Sequence, residues 1–394
     1  RKVRTGGYVL LAGAARPGLA SASRMTSITA SGLSSGIACP LSTQISREPG
    51  YSRAMSLRFS LASTASGEES CSDPAALNTN INVLQFTAGA VTCTNNMIGS
   101  TSTPNSIQVT TTGASATSQQ LIGGLFSSTA PMTIRGNTFA NLTNAGTGTA
   151  HVIRGLQYQG TGTATIALNS VHDISGANAN TTVAGAGTAV QGIVYTGASP
   201  YGGSVTQNSV YALSATNAGT VSTSVCGIGF GNPTNGTVTR NRIYDLRNAS
   251  TGVSPTAPPR GIGLLIRAAA GLGMSASNNM ISLGDTATNT NTEFVGIMHS
   301  FSTLGINLSY NSVHIGGTAA AGSLPSYGFL RGDDTATSAI TTPVAIFNNV
   351  FDNVRTGGTG KHYAIGNVNT APATGWDQGA SNNNVLNSAA ASTV

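Results

Sequence analysis

Apolar and polar positions recur along the chain at fixed distances from a repeated asparagine. In one copy, apolar residues stand three positions before the asparagine and two and five positions after it: Val205, Asn208, Val210 and Leu213. Short apolar stretches bounded by turn residues are typical of β-strands that bury one face. The pattern therefore predicts short strands on both sides of each asparagine.

The asparagines form a series with a nearly constant spacing. They are Asn95, Asn137, Asn169, Asn208, Asn241, Asn278, Asn311, Asn349 and Asn383. The mean spacing, (383 − 95)/8, is 36 residues. Where two or three asparagines adjoin, the assignment is open by one residue.

A second apolar stretch, built around glycine, lies between consecutive asparagines. Its copies read RGLQY at Gly155, QGIVY at Gly192, CGIGF at Gly227, RGIGLLI at Gly261, VGIMH at Gly296 and YGFLR at Gly328. One repeat cannot bury these side chains alone, but stacked repeats can, because each strand then pairs with its equivalent in the next coil. We therefore predict an all-β parallel β-helix of about nine coils, each rising by about 4.8 Å.

α-Helical repeats and propeller blades have similar periods. Helical repeats need helix-forming residues at a spacing near 3.6, which these segments lack, and blades need four antiparallel strands with hairpin turns. The β-helix is preferred over residues 81–394. Residues 1–80 form an atypical N-terminal segment, expected to be a cap, an extension or a partly disordered region.

The recurrent motif N-[ST]-[VI]-[YH]-x-[LI], followed by G-[ILF]-x-[YF], resembles the repeats of secreted bacterial right-handed parallel β-helix proteins, the pectate-lyase-like superfamily. The resemblance covers roughly residues 80–394. It implies a right-handed coil and an extracellular or cell-surface location. That superfamily includes polysaccharide lyases and hydrolases, phage tailspikes, adhesins and surface structural proteins, so function stays open.

Composition and charge exclude several classes of protein. Charged residues make up 8% of the chain and it has 50 glycines, which argues against coiled coils and helical bundles. The net charge of +6 is concentrated before residue 61; from there on, ten basic residues face eleven acidic ones. We therefore expect no nucleic-acid partner.

The chain has no run of about 18 consecutive apolar residues, so no transmembrane segment is expected. Its opening residues, RKVRTGGYVLLAGAARPGLASAS, combine a basic start with a short apolar stretch and small residues. This weakly resembles a secretion signal, with an organelle transit peptide as the alternative.

The repeated asparagine has two structural uses. Asparagine tolerates the left-handed backbone region that a sharp bend requires. Its amide can also donate to one neighbouring coil and accept from the other, which makes a ladder along the axis. We expect a structural ladder at the nine positions named above.

The third position after each asparagine carries His172, Tyr211, Tyr244, Ile281, His314 and Asp352. The rings among them, His172, Tyr211, Tyr244 and His314, are the candidate carbohydrate-facing row, because sugars stack on aromatic faces. The alternative is a partly exposed stack that shields the turn.

Catalysis is not expected from the acidic residues. Glycoside hydrolysis needs two carboxylates about 5–9.5 Å apart. The repeat region offers Asp173, Asp245, Asp285, Glu293, Asp333, Asp334, Asp352 and Asp377. Asp173 and Asp245 share a repeat position but lie two coils apart, about 9.6 Å.

The four cysteines, Cys39, Cys71, Cys93 and Cys226, have no metal-binding spacing. Cys71 and Cys93 could pair in an oxidising compartment, whereas Cys226 reads as a buried small hydrophobe. No catalytic residue, cofactor or metal is predicted.

These features favour an extracellular structural or cell-surface protein, with end-to-end stacking of β-helices into a filament as one form of it. The alternatives are a carbohydrate-binding adhesin and a polysaccharide lyase or glycoside hydrolase. The expected partners are copies of the same chain, joined through the solenoid ends, and glycans under the adhesin alternative.

Overall fold

The computed structural model describes residues 80–110, 118–182, 188–197, 202–231, 236–253, 258–267, 273–285, 291–300, 305–320, 322, 324–332, 344–367, 376–377 and 379–388, and the backbone of short strands before residue 80. Every regular element in this part is a strand, and each coil crosses three sheets in the same order. Sheet 1 contains β1 (Tyr8–Val9), β2 (Thr29–Ala30), β5 (Thr79–Phe86), β9 (Gln119–Phe126), β12 (Val152–Tyr158), β15 (Val190–Tyr195), β18 (Ser224–Phe230), β21 (Arg260–Ile266), β24 (Glu293–His299), β28 (Ser326–Arg331) and β32 (His362–Asn367).

The other two sheets complete each coil. Sheet 2 contains β6 (Val91–Thr94), β10 (Met132–Arg135), β13 (Ala164–Ala167), β16 (Gly203–Thr206), β19 (Gly236–Thr239), β22 (Met274–Ser277), β25 (Ile306–Ser309) and β29 (Val344–Phe347). Sheet 3 contains β3 (Ser42–Ser46), β4 (Ser56–Leu61), β7 (Met97–Gly99), β8 (Ile107–Val109), β11 (Thr138–Asn144), β14 (Ser170–Gly176), β17 (Ser209–Ala215), β20 (Arg242–Asn248), β23 (Met280–Leu283), β26 (Ser312–Ile315), β30 (Val350–Asn353) and β33 (Val385–Ser388). A small separate pair joins β27 (Thr318–Ala319) to β31 (Thr356–Gly357).

Equivalent strands of neighbouring coils pair in parallel, which confirms the predicted all-β parallel solenoid. The predicted number of coils is too high. In the described residues eight coils have a strand in all three sheets, because sheet 2 has eight strands. The following coil reaches sheet 2 only through isolated bridges, one of them between Val344 and Trp376.

The interior is filled by columns of apolar side chains that run along the axis. In sheet 2, Ile134, Ile166 and Val205 are in register and fully buried. In sheet 3, Val171 and Val210 do the same. Burial of one such side chain stabilises the fold by about 1.5–3 kcal/mol, so the column positions account for the apolar pattern of the sequence.

The recurrent glycine of sheet 1 has a steric cause. A Cβ atom added to Gly155 would overlap the side chain of Val171, and one added to Gly192 would overlap Val210. The glycine of sheet 1 therefore leaves the space that the β-branched side chain two positions after the ladder asparagine occupies, as it also does at Gly227 against Ile243. This contact explains why both motifs recur with the same period.

The central strands of sheet 1, from β12 to β28, are buried on both faces. The outer side of the sheet carries a second apolar cluster that includes Ile262, Leu265, Val295 and Met298, all fully buried. A strand buried on both sides needs an almost continuous apolar run rather than alternation, which is why β21 reads RGIGLLI.

Two short strands from the N-terminal segment extend the sheets at one end. β1 pairs in parallel with β5 of sheet 1, and β4 pairs in parallel with β8 of sheet 3. Each is also joined antiparallel to a neighbour, β1 to β2 and β3 to β4. The edges of sheets 1 and 3 at this end are therefore occupied by strands from residues 1–80.

Candidate functional site

An asparagine ladder runs along the corner between sheets 2 and 3. The backbone N–H and Nδ2 of Asn208 both donate to Oδ1 of Asn241, over 3.0 and 2.9 Å, and Nδ2 also donates to the carbonyl of Ile166 over 2.9 Å. The next asparagines repeat this arrangement. Each inner asparagine is at most 1% exposed, so every amide is satisfied without water.

The ladder differs from its prediction at three positions. Its members are Asn96, Asn137, Asn169, Asn208, Asn241, Asn279, Asn311, Asn349 and Asn384. The predicted Asn95, Asn278 and Asn383 are each wrong by one residue. They precede the ladder residue and have positive φ angles of 55–56°.

The two roles expected of one asparagine are thus divided between neighbours. The left-handed residue is the one before the ladder member, as at Leu168, Gln207, Arg240 and Tyr310. The ladder asparagine itself does not adopt this region. Adjacent asparagines occur where the first takes the left-handed bend and the second takes the ladder position.

A further set of asparagines was not predicted to have a role. Asn144, Asn178, Asn217 and Asn248 each accept, through Oδ1, the N–H of the residue two positions later. This is the Asx turn that asparagine favours, and it stands where the chain leaves sheet 3. The signal was present in the recurring N-A-[GNS] triplets at these positions.

The candidate ring row lies in register on the outer face of sheet 3. The rings of His172 and Tyr211 stack with centroids 4.7 Å apart, and those of Tyr211 and Tyr244 with centroids 4.8 Å apart, both nearly parallel. The next member is Ser282, and then come His314 and Asp352. Ile281, assigned to this row from the sequence, is instead in the interior and 2% exposed, because the ladder residue is Asn279.

The stacked rings use their faces against one another. Tyr211 covers one face of Tyr244, and the guanidinium of Arg242 lies 4.7 Å from the centroid of the same ring. Burial, together with the nearby phenol of Tyr211, raises the pKa of Tyr244. His172 is 6% exposed. The rings of this row therefore expose their edges to solvent, whereas their faces are covered.

A groove opens where the ring row ends. From β11 to β20 the strands of sheet 3 have seven residues and bend at a left-handed residue, whereas β23, β26 and β30 have four. The shorter strands leave a space of about 430 Å³ on the outer face. We call it the outer groove; its walls include Tyr244, Met280, Ser282, His314, Val350 and Asp352.

Two carboxylates from different coils meet at one imidazole in the outer groove. His314 Nδ1 lies 2.6 Å from Asp352 Oδ2, and His314 Nε2 lies 3.1 Å from Asp285 Oδ1. Ser282 Oγ donates to the other oxygen of Asp285, and Asn387 Nδ2 donates to Asp352 Oδ1 over 2.6 Å. Burial alone would raise the pKa of Asp352, but the hydrogen bonds from Asn387 and His314 and the charge of His314 hold it below its ordinary value.

The remaining described carboxylates are paired elsewhere. Asp173 contacts His172 over 2.7 Å, and Asp245 accepts two bonds of 2.7 Å from Arg247. These two aspartates, which share a repeat position, both adopt the left-handed region at the bend of sheet 3. Asp377 caps a turn by accepting from the N–H of Ala380; Asp333 and Asp334 lie outside the described residues.

A buried ion pair joins two strands of sheet 1. Arg260 Nε donates to Glu293 Oε1 over 2.7 Å, and both side chains are almost fully buried. Burial lowers the pKa of Arg355 to about 10, against the opposing effect of the Glu293 carboxylate. The Glu293 carboxylate therefore pairs with one buried guanidinium group and acts electrostatically on a second, whose Nη1 donates to the carbonyl of Thr292 over 2.6 Å.

The described cysteines are buried thiols. Cys93 is free and lies in the interior column of sheet 2, where burial raises its pKa to about 11; the partner suggested for it, Cys71, lies outside the described residues, as does Cys39. Cys226 is fully buried, as predicted, and burial raises its pKa to about 12.

Among the described residues, no three His, Cys, Asp or Glu side chains gather in a way that could hold a metal ion. The same part of the chain contains no helix with the length and hydrophobicity needed to cross a membrane.

Comparison of the chain with protein-family models, curated proteins and solved structures finds no significant match.

Proposed function

We propose that the chain is an extracellular structural protein that acts as a stiff, nearly uncharged rod. The observation that carries the proposal is the asparagine ladder. Seven consecutive members, from Asn137 to Asn349, are at most 1% exposed and bonded on both sides. A position used in every coil for hydrogen bonds along the axis serves the scaffold, because a ligand site needs side chains that can be reached.

The ring row supports the same proposal. Sugar binding by stacking needs an aromatic face open to solvent, whereas the faces of His172, Tyr211 and Tyr244 pack against one another. These rings stiffen the outside of sheet 3 as the ladder stiffens its corner. We therefore favour the rod over the carbohydrate-binding adhesin, and propose no catalytic role.

Self-association through the last described coil would extend such a rod. Leu386 is in register with the buried Phe351 of the interior column, yet it is 54% exposed, and Val385 beside it is 58% exposed. Exposed apolar residues that continue an interior column are a suitable surface for another copy of the chain.

Sedimentation velocity over a range of protein concentrations, with electron microscopy of the same samples, tests this function. We expect concentration-dependent assemblies of elongated particles that Leu386→Lys disrupts. Val253→Lys is the matched control, since Val253 is equally exposed, at 59%, but does not continue the interior column. A strictly monomeric wild-type chain at high concentration would overturn self-association, and release of sugar ends from polysaccharides would overturn the non-catalytic role.

A further inference from the structure

The outer groove combines an apolar surface with a charged end. Met280 is 62% exposed and Val350 is 39% exposed, and both line the groove. They are in register with Ser312 between them, on the outward face where earlier coils carry Ser170 and Ser209. An exposed methionine in a groove can pack against the alkyl part of a bound molecule.

At the charged end of the groove, the contacts of His314 are those of a protonated imidazole. Ionised carboxylates only accept hydrogen bonds, and an imidazole donates from both nitrogens only when it is protonated. Because both ring nitrogens of His314 face a carboxylate oxygen, the contacts to Asp285 and Asp352 are satisfied together only by imidazolium. Loss of that proton leaves a lone pair directed at one carboxylate.

Among the described residues, no neighbouring strand contributes a cationic side chain that pairs with Asp285 or Asp352 in place of the imidazolium. β33 contributes the neutral Asn387, which already donates to Asp352. On β20, Asp245 is paired with Arg247, while Arg242 lies over the ring of Tyr244 at the other end of the groove. With His314 neutral, one ring nitrogen still donates to one carboxylate, and in the part of the chain that the structure describes the other carboxylate accepts a side-chain hydrogen bond only from Ser282 or Asn387.

We propose that the outer groove binds a primary alkylammonium group. Its N–H groups donate to Asp285 and Asp352 in place of the imidazolium proton, and its alkyl stem packs on Met280 and Val350 in the way that lysine stems cover apolar surface. The only bond that breaks is one N–H bond of the imidazolium: the cation enters and His314 releases that proton to the solvent. An anion is excluded from this end by the two carboxylates.

The exchange sets the pH dependence of binding. The imidazolium and the ligand compete for the same two carboxylates, so affinity is higher at a pH at which His314 is neutral. An alkylammonium with a pKa near 10.4, like that of lysine, stays charged at neutral pH.

Isothermal titration calorimetry of the full chain tests the proposal with two probes, spermidine and a capped lysine, and with the ε-acetylated form of that lysine as the neutral control. We expect both cations to bind with proton release, and the acetylated form not to bind. Binding of spermidine alone identifies a free polyamine as the natural class of ligand, and binding of the capped lysine alone identifies a protein side chain.

Variants locate the site. We expect Asp285→Asn and Asp352→Asn to lower affinity roughly tenfold or more, because each removes a charged acceptor. His314→Gln keeps binding but removes its pH dependence. The control Asp173→Asn, on the same sheet but paired with His172, leaves affinity unchanged.

Equal binding by Asp352→Asn and wild type, or no dependence of binding on pH, overturns the proposal. Circular dichroism checks that each variant is folded.

Discussion

The coils up to Asn241 and the coils after it share an interior but differ on the outer face of sheet 3. In the earlier coils this face carries seven-residue strands and stacked rings, as at Tyr211. In the later coils it carries four-residue strands and the outer groove with His314. The ladder passes from Asn241 to Asn279 without a break. The scaffold is therefore independent of what the outer face carries, and outer-face residues can change where a strand shortens.

The largest expected effect lies in sheet 1 of the later coils. Glu293→Ala should lower the free energy of unfolding by about 3–5 kcal/mol, because it leaves the buried guanidinium of Arg260 without the carboxylate that it pairs with. The earlier coils carry Ser224 in register with Arg260, so Ser224→Ala is the matched variant and should cost much less. Urea denaturation compares the two; equal losses would contradict the ion-pair role.

The ladder should be equally important in both regions. Asn208→Ala and Asn311→Ala should each cost roughly 3 kcal/mol or more, since each leaves several buried donors and acceptors unpaired at about 1–3 kcal/mol apiece. Denaturant midpoints with unchanged slopes measure the loss. A clearly smaller cost for Asn311→Ala would show that the later coils rely on the ladder less.

The left-handed bends offer small stability gains in both regions. Leu168→Asn and Tyr310→Asn should each stabilise the fold by about 1 kcal/mol, because asparagine tolerates this backbone region better than a bulky residue. Tyr310 should gain less, as it also contacts the ring of Phe347 edge-on at 6.2 Å. The reverse change, Asn348→Leu, should destabilise, and thermal unfolding distinguishes these outcomes.

One substitution should make the later region resemble the earlier one. Ser282→Tyr places a ring next to Tyr244 and should close the outer groove, with a stability change of about 1 kcal/mol or less. Alkylammonium binding should then be lost. Retained binding by a folded variant would show that the groove is not the site.

The smallest effect is a pH dependence from Asp352. The pKa of Asp352 is lower in the folded protein than its ordinary value. Its ionised form therefore contributes to stability above the ordinary pKa, and this contribution is lost as the pH falls through the pKa of the folded state. Asp352→Asn should therefore flatten the decrease of melting temperature in acid. An unchanged acid profile would contradict this contribution.

Much of the scaffold could be predicted from the sequence because every coil repeats the same contacts. Single asparagines such as Asn169 and Asn208 have one assignment, and the column positions follow from it. Adjacent asparagines have two possible assignments, since either residue suits the corner. The one-residue error at Asn278 placed Ile281 in the ring row instead of Ser282.

The outer groove could not be predicted in the same way. Asp285 comes from a turn after β23 and has no equivalent in the repeat, so no spacing pointed to its contact with His314. The groove also depends on strands that stop after four residues, and the motif after Asn311 differs little from that after Asn169. Sites of this kind arise where the copies diverge, and the residues that diverge have no pattern to identify them.

Hydrogen exchange of the asparagine side-chain amides, followed by NMR of protein labelled with ¹⁵N-asparagine, tests most directly whether one ladder supports both regions. The Nδ2 hydrogens of Asn208 and Asn311 should exchange equally slowly, and far more slowly than those of the exposed Asn307 on sheet 2. Exchange of Asn311 as fast as that of Asn307 would contradict a continuous ladder.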